Sequence, residues 1–375
     1  MNIETFISRR GYYLFMDERL FTNTPFGKLL WEQKGAYYYF EPNLLPFKFT
    51  ESQAISKQAE KTTLLLGVLK GMTRRLSSEE IFLMQYPFML KEAQLSSEIE
   101  GTRSTIVDVM KEEKIEEKNP EKRLDNEEIR NYRKALQMGL DSLSKQKISE
   151  ELIKSAHKIL LEGVRGKNKS PGEYKEDQNG IGNRKDTLDI AKFVPASPRY
   201  APKLMENLVE FMNSDSNHSL YRIALSHYQF ETIHPFRDGN GRLGRLLIML
   251  QICENNLLDY PLLYISEFFN RNRDAYTELL FNVSAKGDLE SWITFFLKAL
   301  EYQAQQSIDL LEKLEKYKLE LHQKMHKLSK SPNMPLLIES LFKQPFITSR
   351  DVKGFLDISQ PGSWNLIKKL EKLEI

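Results

Sequence analysis

Residues 234–245 read His-Pro-Phe-Arg-Asp-Gly-Asn-Gly-Arg-Leu-Gly-Arg. Apolar residues recur at helical spacing before this stretch, from Leu220 to Phe230, and again after it, from Leu243 to Leu250. Pro235 and the following glycines interrupt the pattern. The sequence therefore predicts two helices joined by a tight loop, with Gly239-Asn240-Gly241 at the start of the second helix.

The loop combines residue types that suit a polyphosphate. Residues 239–241 would offer unpaired N–H groups at the positive end of a helix dipole, which favours an anion. Arg242 and Arg245 are three residues apart, so two guanidinium groups share one helix face and match phosphate oxygens. Asp238 is a hard oxygen ligand suited to Mg²⁺ that travels with phosphates. His234 is a candidate general base.

A glycine-rich turn alone would be ordinary turn chemistry. A structural turn has no need of a base, a carboxylate, an anion site and two arginines within twelve residues. The function classes favoured at this point are therefore those that bind and react with a phosphorylated ligand. A competing phosphate loop at Gly166-Lys167-Asn168 is excluded, because Leu161 and Asn168 stand where a Walker A motif needs Gly and Ser or Thr.

The loop resembles the motif of the Fic (filamentation induced by cAMP) family, HxFx[D/E]GNGRxxR, at every defined position. The resemblance implies a Fic-type helical core and transfer of AMP from ATP to a hydroxyl of a target protein or of the chain itself. It implies that His234 takes the proton of a Ser, Thr or Tyr hydroxyl, that Phe236 anchors the loop, and that Asp238 holds Mg²⁺. The implied phosphate-binding residues are Gly239, Asn240, Gly241, Arg242 and Arg245.

A second motif lies upstream, in the run Ser96-Ser97-Glu98-Ile99-Glu100-Gly101. By itself, Ser97-x-x-Glu100 is a capping-box pattern, typical of a helix start. Fic proteins often carry an inhibitory helix of the form [S/T]xxxE[G/N], which Ser96, Glu100 and Gly101 match. The resemblance implies that Glu100 pairs with Arg245 in competition with the γ-phosphate, so that the chain is autoinhibited.

Two further expectations follow from the resemblance. A β-hairpin flap that docks the target is expected within Asp186–Val194, through Leu188, Asp189, Ile190, Ala191, Lys192 and Phe193. Residues 178–182 resemble the family run before the flap, with Tyr174-Lys175 where an arginine is expected. Downstream, Tyr276 lies in a segment similar to the adenine side of the site, and a core position for this ring is an equal alternative.

The remaining apolar spacing indicates many helices and few strands, so the predicted fold class is mainly α. Tyr37–Phe40 is predicted to be a strand. Residues 111–135, rich in Lys and Glu around Pro120, are predicted to be a solvated connector. The predicted helices lie at about 52–75, 79–100, 148–163, 201–213, 219–233, 242–255, 272–285 and 288–329.

The C-terminal residues form a separate pattern. Three short helical segments at 335–343, 348–356 and 361–373 resemble a winged helix-turn-helix. DNA is a possible partner of this segment, although four acidic residues dilute its charge; the candidate contacts are Gln360, Ser363, Asn365, Lys368 and Lys369. The predicted domains are an N-terminal Fic-associated domain at 1–90, a catalytic core at 91–330 and this winged helix-turn-helix at 331–375. A homodimer is also possible.

Composition limits the remaining choices. A chain of 375 residues with 41% hydrophobic and 11% aromatic residues is not disordered. The 54 basic and 52 acidic residues leave a net charge of +2, so any basic site must be local. The single Cys253 excludes an internal disulfide. The first residues lack a signal-peptide core, and no apolar run nears the roughly 20 residues of a membrane span, so we expect a cytoplasmic protein without membrane contact.

Three functions stay open from the sequence. The first is an autoinhibited protein adenylyltransferase with ATP and Mg²⁺. The second is a Fic fold with other chemistry, such as phosphotransfer, phosphocholine transfer or AMP removal. The third is a regulator that senses ATP and binds DNA or a protein partner.

Overall fold

The computed structural model describes residue 16 and residues 18–22, 24–112, 117–182, 187–215, 218–328, 333–343 and 347–371. These residues form fourteen α-helices and one two-stranded sheet, so the predicted mainly α class is confirmed. Two short 3₁₀ turns lie at Glu18–Leu20 and Leu188–Ile190.

The helices follow one another in the order α1 to α14. Their bounds are α1 Gln53–Thr73, α2 Ser78–Ile99, α3 Ile106–Glu112, α4 Pro120–Leu143, α5 Glu150–Leu160, α6 Ala201–Met212, α7 Ser219–Ile233, α8 Asn240–Glu254, α9 Ser266–Arg271, α10 Arg273–Lys286, α11 Leu289–Leu328, α12 Asn333–Lys343, α13 Ser349–Leu356 and α14 Gln360–Glu371. Each helix expected from apolar spacing is present within a few residues of its predicted limits.

The sheet is an antiparallel pair of strands near the start of the described chain. Strand β1, Gly27–Glu32, pairs with β2, Tyr37–Pro42, in a register that places Leu29 opposite Phe40. The strand predicted at residues 37–40 is therefore confirmed. On β2 the Phe40 ring is buried, and it packs against Phe193 at a ring separation of 6.0 Å.

The prediction of a solvated connector at 111–135 is wrong, because α4 occupies most of that range. The helix begins where Pro120 takes the first helical position and the Asn119 side chain accepts hydrogen bonds from the next amides. Two of its acidic residues are shielded from solvent. Asp125 and Glu128 are buried and pair with Arg165, so charge on this helix marks an internal ion pair.

Helices α7 and α8 lie at the centre of the main core. Thirteen of the fifteen residues of α7 are buried, and a helix that is buried on every side belongs inside a fold. Trp292 of α11, fully buried, donates a hydrogen bond of 2.9 Å from Nε1 to the carbonyl of Ala224 in α7. The loop between α7 and α8 is thus held between two rigid, packed helices.

The C-terminal helices α12, α13 and α14 have a core of their own. Met334, Leu337, Val352 and Leu366 are among its buried residues, and Leu321 of α11 joins them. Within residues 333–343 and 347–371 the structure describes three helices and no strand, so the resemblance of this segment to a winged helix-turn-helix stays a prediction. The domain limits at residues 90 and 330 stay predictions. In the described part of the chain, none of the helices combines the length and apolarity that a membrane crossing requires.

Candidate nucleotide-binding site

The loop between α7 and α8 turns sharply at His234. This residue caps α7 in the left-handed conformation, with φ 49° and ψ 60°, and its amide donates to the carbonyl of Phe230 at 2.8 Å. Pro235 cannot continue the helix. Gly239, with φ 74°, caps the start of α8 in a conformation that favours glycine. The two left-handed positions bring the chain back on itself within five residues.

The middle of the loop is anchored in the core by Phe236. Its ring is fully buried and stacks on His157 of α5, with ring centroids 3.8 Å apart. Asn240 closes the loop from the other side, since its Oδ1 accepts from the Phe236 amide at 2.9 Å and its Nδ2 donates to the Phe236 carbonyl at 2.7 Å. The Asn240 side chain therefore makes its hydrogen bonds within the loop. Only the backbone amide of Asn240 remains available to bind an anion.

Segment 172–179 supports the loop from below, and sequence reasoning did not assign it this role. Lys175 donates from Nζ to the Ile233 carbonyl at 3.1 Å and from its amide to the Pro235 carbonyl at 2.8 Å. Asn179 donates from Nδ2 to the carbonyls of His234, at 3.1 Å, and of Phe236, at 2.9 Å. Together the two residues hold the carbonyls of residues 233–236 in succession. The signal available in the sequence was the run 178–182, which the family resemblance had already marked.

His157 fixes the second half of the loop. Its Nδ1 accepts from the Gly172 amide at 2.8 Å, which leaves the proton on Nε2, and Nε2 donates to the Asp238 carbonyl at 2.8 Å. Burial lowers the pKa of His157 to about 4, so the ring is neutral at physiological pH and keeps this arrangement. No motif in the sequence pointed to this histidine.

The start of α8 lies where the sequence predicts an anion site. The first amides of a helix have no acceptor inside the helix, and here they belong to Asn240, Gly241 and Arg242. Arg242 is 4% exposed, and its Nε and Nη1 are buried with no hydrogen-bond partner. A buried guanidinium with unpaired donors is costly unless an anion completes it. The site thus provides backbone and side-chain donors for phosphate oxygens.

Arg245, one turn further along α8, is occupied. Its Nε donates to Ser96 Oγ at 2.8 Å, and its Nη2 donates to the Ser96 carbonyl at 2.9 Å and to Glu100 Oε1 at 2.8 Å. Burial alone would lower the pKa of Arg245, but the Glu100 charge raises it above its ordinary value. The end of α2 therefore takes up the arginine that the sequence predicted for a phosphate.

Glu100 lies at the end of α2, close to the backbone of α8. It caps the C-terminal end of α2, so the capping-box interpretation of Ser97 and Glu100 as a helix start is wrong. Gly101 follows with φ 103°, a conformation that glycine adopts far more readily than other residues. A Cβ at Gly241 would lie 2.4 Å from Glu100 Oε1. The carboxylate therefore lies directly over the anion site, where a helix N-terminus stabilises negative charge.

His234 lies at the edge of the site with its ring partly exposed. The Nδ1 atom is 3.3 Å from the carbonyl of Glu231 and 3.6 Å from the Glu231 carboxylate, so Nδ1 carries the proton and Nε2 is free to accept one. Burial alone would raise the pKa of Glu231, but the hydrogen bond with His234 and the nearby Arg245 charge lower it below its usual value. Sequence reasoning missed Glu231, although a Glu three residues before the histidine is on the same helix face.

Asp238 is the predicted Mg²⁺ ligand. Its Oδ1 accepts from the Gly239 amide at 2.7 Å, and its other oxygen faces Gly166. Among the described residues no cluster of three or more His, Cys, Asp or Glu is arranged to hold a metal ion. A single carboxylate fits Mg²⁺ that arrives with a nucleotide, because the phosphates and water supply its other ligands.

The expected flap differs from its prediction. Leu188–Ile190 is a 3₁₀ turn, and Phe193 pairs with Ile181 in an antiparallel bridge, so the hairpin is not contained within 186–194. Residues 183–186 lie outside the described chain. The end of the segment is tied to the sheet, since the Phe40 amide donates to the Val194 carbonyl at 2.9 Å. Of the six docking residues, Ala191 and Phe193 are buried, Leu188 is half-buried, and Asp189, Ile190 and Lys192 are exposed.

Tyr276 is placed in the core. It is 4% exposed, stacks on Phe269 at 4.5 Å, and its hydroxyl bonds with His227 Nε2 at 2.8 Å. Burial raises the pKa of this phenol above its usual range. A ring packed in this way offers no surface to adenine, so the core alternative for Tyr276 describes the structure.

Comparisons with known proteins show which family the chain belongs to. Residues 147–252 match the Fic/DOC family, and residues 56–141 match the Fic/DOC family N-terminal region. The chain belongs to the Fic/DOC family. A structure of a Fic family protein from Desulfovibrio desulfuricans G20 shares the fold, with a TM-score of 0.60 and 20% identity over 88% of this chain and 92% of that one. Residues 134–508 of Fic-1 from C. elegans give a TM-score of 0.55 and 22% identity over 69% of this chain and 74% of theirs.

Two curated relatives carry names that state an activity. A probable protein adenylyltransferase of Aquifex aeolicus is 35% identical over 102 residues, which is 26% of this chain and 29% of the relative. Protein adenylyltransferase fic-1 of Caenorhabditis elegans is 28% identical over 126 residues, 33% of this chain and 23% of the relative. The matches thus span less than a third of either relative's length.

Proposed function

We propose that this chain is an autoinhibited protein adenylyltransferase that moves AMP from ATP to a hydroxyl side chain. The observation that carries the proposal is the loop 234–245. It presents a histidine with a free Nε2 beside an anion site whose first arginine, Arg242, has unpaired donors. The names of the matched relatives support the reaction class.

In the proposed mechanism the oxygen of a Ser, Thr or Tyr hydroxyl attacks the α-phosphorus of ATP. Its proton passes to Nε2 of His234 as the new oxygen–phosphorus bond forms, and the bond to pyrophosphate breaks. The amides at the start of α8, those of Asn240, Gly241 and Arg242, and the guanidinium of Arg242 bind phosphate oxygens, whereas the Gly239 amide donates to Asp238. Fixed donors of this kind stabilise developing charge without reorganisation. Asp238 would hold Mg²⁺, which neutralises phosphate charge when bound.

Autoinhibition follows from the position of Glu100. Its carboxylate pairs with Arg245 and lies over the start of α8, where a γ-phosphate would otherwise bind. The Glu100 side chain is 44% exposed, so water screens the pair, and we take the lower end of the strength of a charged hydrogen bond. That corresponds to roughly a tenfold loss of productive ATP binding.

The first prediction concerns release of this contact. The substitution Glu100→Gly removes the competing carboxylate, and we expect AMP transfer to rise about tenfold. The measurement is transfer of label from ATP labelled on the α-phosphate, with mass spectrometry to locate the modified residue. His234→Ala in the same background is the control and should abolish transfer.

The outcomes separate the competing functions. Equal transfer by the parent chain and the Glu100→Gly variant would contradict autoinhibition. Label that arrives only from the γ-phosphate would indicate phosphotransfer. Retention of DNA that depends on nucleotide, with no transfer, would indicate a regulator.

In the C-terminal segment Asn365, Lys368 and Lys369 are exposed, whereas Ser363 is fully buried and cannot contact DNA as predicted.

A further inference from the structure

We propose that Glu231 is a positioning residue for His234. Its carboxylate holds the ring with the proton on Nδ1 and stabilises the imidazolium that forms when Nε2 accepts a proton. The role in catalysis rests on the proposed function, whereas the effect on the ring does not. Glu231 lies one turn before His234, on the last turn of α7.

The first support is the geometry of the pair. The Glu231 carboxylate is 3.6 Å from Nδ1, and the carbonyl of the same residue is 3.3 Å from it. The Nδ1 proton thus faces a neutral dipole and a full negative charge at once. When the ring gains a proton on Nε2, the carboxylate stabilises its positive charge.

The second support is that Glu231 has no competing structural role in the described chain. Its side chain is 11% exposed, and its Oε1 is buried with no hydrogen-bond partner. A buried carboxylate that keeps an unpaired oxygen costs folding free energy. A residue that serves only the packing of α7 would be replaced by an apolar side chain at lower cost.

The third support is the space made for the carboxylate by Gly244 of α8. A Cβ at Gly244 would lie 2.4 Å from Glu231 Oε1 and 3.1 Å from the Phe230 ring. Position 244 is one that the family motif leaves undefined. In this chain, Glu231 and Gly244 fit one another across the two helices that flank the loop.

The charges around Glu231 favour its ionised form. His234 and His227 face it from α7, Arg245 from α8 and Tyr276 from α10. Burial lowers the pKa of His227 to about 4, so that ring is neutral under physiological conditions and does not compete with His234 for the charge. Burial raises the pKa of Tyr276, which stays a neutral phenol. Arg245 already pairs with Glu100.

In this arrangement the proton of the target hydroxyl moves to His234, and the Glu231 carboxylate is not protonated. The O–H bond of the target breaks, the proton joins Nε2, and the Nδ1 proton stays between ring and carboxylate. Pyrophosphate leaves with the electron pair of the broken bond. Glu231 therefore acts through His234 and touches neither ATP nor the target.

The test compares Glu231→Gln with its parent, both in the Glu100→Gly background. We expect kcat for AMP transfer to fall about tenfold, less than the loss of a complete general base because the backbone carbonyl still orients the ring. The KM for ATP should stay within about twofold. The acidic limb of the pH profile should move to lower pH, because an amide in place of the carboxylate no longer favours the charged ring. Glu231→Asp, which keeps the charge, should recover part of kcat.

Two further measurements keep the test decisive. The ring signals of His234, assigned by NMR against His234→Ala, should move at lower pH in Glu231→Gln than in the parent, whether or not either protein transfers AMP. Glu254→Gln is the control, since this part-buried carboxylate lies at the far end of α8, about 21 Å along the helix.

An unchanged acidic limb and unchanged ring signals in Glu231→Gln would overturn the role of Glu231. A Glu254→Gln variant that shifts the ring signals equally would overturn it as well. If the Glu100→Gly chain transfers no AMP at any pH, the proposed function fails, and the ring signals alone decide on the pairing of Glu231 with His234.

Discussion

Lys175 is the residue whose physical chemistry is most unusual near the loop. It is 3% exposed, and its Nζ has the Asn179 amide oxygen at 2.7 Å and the Ile233 carbonyl at 3.1 Å as acceptors. Burial lowers the pKa of this amine to about 7, against 10.5 for the ordinary side chain. The loop of the candidate base is thus held by an amine that titrates near neutral pH.

This shift predicts a pH dependence of stability. Between pH 7 and 10.5 the unfolded chain binds more protons at Lys175 than the folded chain, so folding becomes more favourable as pH rises. We expect the free energy of unfolding to increase by about 2 kcal/mol from pH 7 to 9 relative to Lys175→Met. Denaturant titration at several pH values measures it. The exposed Lys203→Met is the control, and parallel pH curves for Lys175→Met and the parent would contradict the prediction.

At the residue scale, the sequence located the site but not the use of every side chain. The order of His, Asp, Gly and Arg in 234–245 predicts a base next to an anion site, and the structure places these residues on one loop and the helix that follows it. It could not show that the Asn240 amide bonds to Phe236 instead of a phosphate, or that Tyr276 faces the core, because both depend on contacts across the fold. Lys175, Asn179 and Glu231 act through backbone carbonyls or another side chain, and such roles leave a weak sequence pattern.

Among the elements, α4 holds the residues that follow the end of α2. Its Glu128 accepts from the Thr102 hydroxyl at 2.7 Å, and its Asp125 accepts from the Arg103 amide at 2.8 Å. Both acids also pair with Arg165. The residues just after Glu100 are thereby tied to α4, so the C-terminal end of α2 is fixed on both sides of its contact with Arg245.

Loosening this attachment should weaken autoinhibition. Thr102→Val keeps the shape of a buried side chain but removes the hydroxyl bonded to Glu128. We expect AMP transfer to rise about fivefold, the equivalent of about 1 kcal/mol of lost restraint. The assay is again transfer of α-labelled AMP.

Thr105→Val is a matched control for that experiment. In the part of the chain that the structure describes, the Thr105 hydroxyl bonds to Asp108 at the start of α3 and not to α4, so transfer should stay at the parent level. If Thr102→Val also stays at the parent level while Glu100→Gly raises transfer, the attachment to α4 does not restrain α2.

At the element scale, apolar spacing predicted the helices that bury a continuous face. It failed for α4 because that helix buries charged residues in ion pairs, and a pattern of Lys and Glu normally indicates solvent. It also missed β1, whose pairing partner β2 was found from its aromatic residues. Tertiary pairing supplied what local sequence did not contain.

Over the whole molecule, the C-terminal helices form a buried cluster of their own. Their buried cluster contains residues of α12, α13 and α14, with Leu321 at the end of α11 as the link to the rest. The main core instead includes residues of α1 to α11, and along α11 it extends as far as Leu311. The two clusters share no buried residue, so damage to one should leave the other folded.

Leu337→Ala tests this separation. Leu337 is fully buried in the C-terminal cluster, and its loss should destabilise that cluster by about 2–5 kcal/mol. Hydrogen exchange should accelerate within residues 333–371, while AMP transfer stays at the parent level. Leu336→Ala, at an adjacent residue that is 54% exposed, should change neither. A fall in AMP transfer together with unfolding of the main core would show that the clusters are one unit.

The backbone at His234 has a consequence for how such sequences change over time. A side chain with a β-carbon is held there at φ 49°, which costs roughly 1 kcal/mol that glycine would avoid. Folding alone would therefore favour glycine at this position, whereas the proposed reaction requires the imidazole. In lineages where the reaction is no longer needed, this position should be among the first to drift, and the inactive descendants should be at least as stable as their ancestors.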